Sequence, residues 1–201
     1  MRAKRRIPCR EFALLVAFSL AAAGVLAGQR AAPNKEQTDD AAGFKEFTGR
    51  VDEYLKLHKT IENQLPALKN KEELPEMIAA HQQALARKIR ESRLHAKPGD
   101  IFTGASREAF RHVIRSVFKD PQNATAHEHI RQRDTFKGVR LQVNGIYPDD
   151  IAETHFPPTL LQKLPTLPEE LAYRILGRDL VLVDRRASLV VDLLHEALPK
   201  I

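Results

Sequence analysis

The spacing of apolar residues changes period once along this chain, and that change restricts it to a two-part fold. Phe44, Phe47, Val51, Tyr54, His58, Ile61 and Leu65 recur at alternating intervals of three and four, which places them along one stripe of an α-helix. Pro66 stops the run. Beyond residue 136 the interval falls to two, with Val139, Leu141 and Val143 alternating with polar residues, the pattern of a half-buried strand. The expectation is an α+β fold. A helical region over 44–135 precedes a small antiparallel β region over 136–201 that packs on it, the two sharing a single domain, 44–201.

The helical half divides at its prolines. A second helix is expected from about Pro75 to Leu94, with Ile78, His81, Leu85 and Ile89 roughly on one face. The short polar link between it and the first helix favours an antiparallel hairpin. Folding about position 69 or 70 pairs Leu65 with Leu74, Ile61 with Ile78, and Tyr54 with Leu85, and it sets His58 opposite His81. A third helix is expected over Ser106–Lys119, and a more polar fourth over Ala124–Asp134. In the β half, the Val139–Val143 strand is expected to end at Asn144-Gly145. Leu171–Leu176 and Asp179–Asp184 flank Gly177-Arg178, which reads as a β-hairpin turned at the glycine. Ser188–Leu194 adds a third strand. Asp184 and Asp192 then read as turn and edge residues.

Residues 1–27 have the layout of a secretory signal peptide. Arg2, Lys4, Arg5, Arg6 and Arg10 precede the uncharged run Phe12–Gly28, and Val25-Leu26-Ala27 suits cleavage after Ala27. The alternative is an uncleaved membrane anchor, for which the run is short. Gly28–Gly43 is small and polar and reads as a flexible tether. The leader carries most of the formal +6 charge and the single cysteine, Cys9. A nucleic-acid partner, thiol catalysis and disulfides therefore all drop out for the exported chain, and a bacterial periplasm is the expected location.

The tail contains Leu164-Pro165, Leu167-Pro168, Tyr173-Arg174, Gly177, Leu180-Val181-Leu182-Val183-Asp184 and Val190-Val191-Asp192. Over about 157–194 it resembles the hairpin that closes many small exported bacterial proteins. These include uncharacterised secreted families and the periplasmic nickel–cobalt homeostasis family. The resemblance implies a periplasmic, non-enzymatic setting.

Candidate chemistry rests on histidine. His127-Glu128-His129 offers imidazoles suited to Ni, Co, Cu or Zn, although two histidines one residue apart diverge on a helix. His58 and His81 are the second metal candidate, brought together by the hairpin register. His127-Glu128-His129-Ile130-Arg131 fails the H-E-x-x-H zinc pattern at Arg131, and no G-x-S-x-G, phosphate loop or dinucleotide fingerprint occurs. Asp149-Asp150 after Tyr147-Pro148 reads as a turn. Arg107, Arg111 and Arg115 form a cationic stripe on the third helix, a candidate surface for an envelope partner or an anionic surface. The functional expectation is an exported, non-catalytic protein acting by partner binding, with metal binding through the histidine pairs as the alternative.

Overall fold

The computed structural model describes residues 35–67, 75–123, 140–148 and 156–200. The expected leader, the first part of the tether, the expected fourth helix with His127 and His129, and Asp149-Asp150 lie outside the described residues. Residues Pro33–Ile201 cluster as one compact unit. Among the described residues no helix is long and apolar enough to cross a membrane.

The period change produces the α+β architecture. Helices α1 (Lys35–Glu62), α2 (Pro75–Ser92) and α3 (Gly104–Lys119) come first, and a short helix α4 (Pro158–Leu161) follows. Strands β1 (Leu171–Leu176), β2 (Asp179–Asp184) and β3 (Leu189–Leu194) close the chain as an antiparallel meander in the order β1-β2-β3. Gly177, at φ +58°, supplies the left-handed residue of the β1–β2 turn.

Two expectations are corrected. The helix that was to begin at Phe44 begins at Lys35, so residues 35–43 are not tether. Small residues there serve close packing: a β-carbon on Gly43 would lie 2.6 Å from the Ala105 carbonyl oxygen and 2.8 Å from Ala109 Cβ. Asp40 also takes a 2.6 Å bond from His112 of α3. The expected strand ending at Asn144-Gly145 is absent from the described part, where 143–145 form a turn instead. Only Ile146 bridges to Leu189, and Asn144 and Tyr147 donate to the carbonyls of Val190 and Ser188. Asn144, at φ +63°, bends the backbone out of strand geometry there.

The sheet is apolar on both faces. Leu171, Tyr173, Ile175, Leu180, Leu182, Leu189 and Val191 join Phe47, Phe102, Phe110, Leu85 and Ile114 of the helical layer in one core. Phe110 lies within 5.2 Å of Phe44, Phe47 and Phe102, centroid to centroid, at steep interplanar angles that suit the ring quadrupoles. On the opposite face Val181, Val183, Val190 and Leu193 pack against Tyr147.

Candidate functional site

Two aspartates on adjacent strands, Asp184 at the end of β2 and Asp192 within β3, carry the polar interior. Asp184 ends β2 on the face shared by Leu180 and Leu182, and its side chain is fully buried. Its Oδ2 accepts hydrogen bonds from the Tyr54 hydroxyl at 2.7 Å and His58 Nδ1 at 2.6 Å, both from α1. Its Oδ1 accepts the backbone N–H groups of Arg186 and Ala187 at 2.9 Å each, which closes the β2–β3 turn. Four donors satisfy a carboxylate that would otherwise be costly to bury.

His58 is equally buried, and its Nε2 lies 3.5 Å from Glu62 Oε2. Glu62 in turn binds Arg186 at 2.6 Å. Burial by itself would lower the His58 pKa. The hydrogen bond and charge of Asp184, with the charges of Glu62 and Glu170, outweigh that and raise it above 6.5. Burial, followed by the Asp184 charge, pushes the Tyr54 hydroxyl well above its usual range, so it remains a donor.

Asp192 reaches the same interior by a different route. The β2–β3 register slips between Leu182 and Val183, and this bulge turns Val191 and Asp192 both toward the helical layer. Asp192 Oδ2 accepts the N–H groups of Ile101 and Phe102 at 2.7 Å, and its Oδ1 accepts those of Gly99 and Leu193. One carboxylate therefore holds the second half of the α2–α3 loop, where Gly99 sits at φ +95°.

Arg93 lies between the two centres. Its guanidinium stands 5.1 Å over the Tyr54 ring and donates to Asn144 Oδ1 and the Val191 carbonyl at 3.2 Å each. Asn144 returns a bond to the Arg93 carbonyl. Arg93 opens onto a cleft of about 430 Å³, shared with Arg50, Glu53, Tyr54, Asp100 and Thr103.

The sequence-derived candidates fall differently. His58 is held by Asp184 and faces Glu62. His81 is half-exposed and lines a hollow with Ile78, Gln82, Arg185, Arg186 and Glu62, the residue that faces His58 Nε2. Among the described residues no three of His, Cys, Asp or Glu converge as a metal set. In the arginine stripe Arg111 is tied to Glu108 and to the His195 carbonyl, Arg107 lies against Gly99, and Arg115 is exposed. Asp184 does close the β2–β3 turn and Asp192 does lie on an outer strand, as read from the sequence, but both are also fully buried and take donors from the helical layer or its loop. For Asp184 the signal was present: it shares strand parity with Leu180 and Leu182. For Asp192 the parity is broken by the bulge, which no residue spacing announced.

No known protein family, no curated protein and no solved structure matches this chain.

Proposed function

We propose that this chain is an exported, non-catalytic protein of the bacterial cell envelope that acts by binding a partner through its helical hairpin. The observation that carries this reading is the first half of α2. Residues 75–80 are exposed throughout, with Met77 at 51% and Ile78 at 47%, while the buried residues of the helix begin only at Leu85. Glu76 is the one polar side chain of this exposed stretch, which continues into Ala79 and Ala80, and contiguous exposed apolar surface marks contact sites more often than scattered apolar residues do. The interior groups that could otherwise carry chemistry (His58, Tyr54, Asp184 and Asp192) are all engaged in joining layers. A nucleophile with an accessible base is not assembled from the described residues, so binding is the reading favoured over catalysis.

The test has two parts. Amino-terminal sequencing and fractionation of the protein from its native host should find a chain beginning near Gly28 in the envelope. A photoreactive residue placed at Ile78 in living cells should give one dominant crosslinked species, abolished by Met77→Asp and absent when the probe sits at Lys119 on α3. Equal, diffuse crosslinking from both positions would sink the hairpin as the binding surface.

A further inference from the structure

We propose that the cleft between α1 and the α2–α3 loop is a carboxylate-binding site built on the guanidinium of Arg93. This goes beyond the partner-binding reading and does not depend on export or on the outer surface of α2.

Arg93 is half-buried and fixed from three directions, by the Tyr54 ring, the Asn144 side chain and the Val191 carbonyl. Each of these neighbours is itself held: Tyr54 by Asp184, Asn144 by its return bond to the Arg93 carbonyl, and Val191 by its place in β3. A guanidinium offers five N–H donors in a planar fork, and two of its bonds are accounted for here. Among the described residues no carboxylate lies within 4.0 Å of it. Asp192 and Asp100 act on it only at longer range, while burial pushes its pKa down. A partly desolvated cation without a direct counter-charge is costly. Here that cation is pre-oriented and lines a cleft large enough for a small ligand.

The surroundings select among anions. Glu53 and Asp100 share the cleft, Glu53 already pairing with Arg50 at 3.3 Å, so a doubly charged phosphate meets about twice the repulsion that a singly charged carboxylate does. The carboxylate is also the planar partner that a guanidinium fork grips in two places. The half-buried Leu57 lines the same cleft and gives it an apolar edge, which favours a carboxylate bearing a short aliphatic tail. Such a group occurs on a free fatty or hydroxy acid of a few carbons and at the carboxyl terminus of a peptide.

Amide NMR on the isotope-labelled protein separates these sources. Butyrate, the tripeptide acetyl-Ala-Ala-Leu with a free terminus, the same peptide amidated, phosphate and chloride would each be titrated at matched ionic strength. The expected result is saturable movement of the Gly99, Asp100 and Thr103 amides with butyrate or the free-terminus peptide, at least tenfold weaker response to phosphate, and none to the amidated peptide or chloride. Saturation by butyrate alone identifies a small acid as the ligand class, and saturation by the peptide identifies a chain terminus. Arg93→Lys should weaken the response at least tenfold. Because Arg93 also ties α2 to β3 and that variant can lose its fold, Asp100→Asn provides the second arm, and removal of its repulsion should tighten binding several-fold. Non-saturating shifts equal to those of chloride, equal binding of the acid and amide peptides, or an affinity untouched by Asp100→Asn would each overturn the proposal.

Discussion

His58 has a carboxylate oxygen facing each ring nitrogen, Asp184 at 2.6 Å and Glu62 at 3.5 Å, and this geometry stabilises the imidazolium over the neutral ring. Its folded pKa is raised above 6.5. The stabilisation is therefore fully present below pH 6.5 and is lost as pH rises through the folded value. Thermal unfolding followed across that range should show the midpoint falling on the alkaline side, and His58→Gln should flatten this part of the profile. An unaltered slope in the variant would remove His58 as its source. Asp184→Asn leaves a buried imidazolium facing an amide, and denaturant titration should register a loss of about 3–5 kcal/mol, as for other broken buried pairs. Half of this pair was legible in the sequence. His58 fell on the apolar stripe of α1, where its burial followed from spacing, but the identity of its partner depended on tertiary placement. The hairpin register offered His81, whereas the sheet supplies an aspartate far along the chain.

Helix α1 shows why element boundaries were harder to read than element types. Its apolar stripe begins at Phe44, yet the helix begins at Lys35, and the contacts of this first part with α3 run through Asp40 and Gly43 and not through a stripe of its own. Gly43 marks that contact. Even a methyl group there would meet the Ala105 carbonyl oxygen and Ala109 Cβ below 3 Å, whereas at Gly49 of the same helix a β-carbon would meet nothing within 4 Å. The two glycines should therefore respond oppositely to the same change. Gly49→Ala should gain about 0.5–1 kcal/mol from helix propensity. Gly43→Ala should lose about 1–3 kcal/mol despite that propensity, because backbone has to move to admit the methyl. Paired urea titrations would decide it, and equal gains at both positions would contradict the close α1–α3 approach. The β-hairpin and third strand, by contrast, were legible almost to the residue, since short apolar runs and the turn at Gly177 are local signals. The expected Val139–Val143 strand failed because alternation alone does not supply a ladder partner.

Across the whole molecule, stability is unevenly distributed. Strands β2 and β3 are buried along nearly their full length, and α3 contributes Phe110, Ile114 and Val117 to the same core. The first turns of α2 bury nothing. Hydrogen exchange read by mass spectrometry should find residues 75–82 exchanging well before α3 and β2; equal protection of α2 and α3 would contradict this ranking. The order in which the chain is made adds a further consequence. The Tyr54 hydroxyl waits for an acceptor 130 residues later, His58 for one 126 later, and the Gly99 amide for one 93 later. Contacts this distant in sequence are slow to close, and here they close only when the last two strands are free. A growing chain would thus carry its helices unfinished until β2 and β3 emerge, so truncation ahead of β2 should unmake the helical layer as well, and a chain threaded through a narrow channel before that point would have no completed fold to undo on the way.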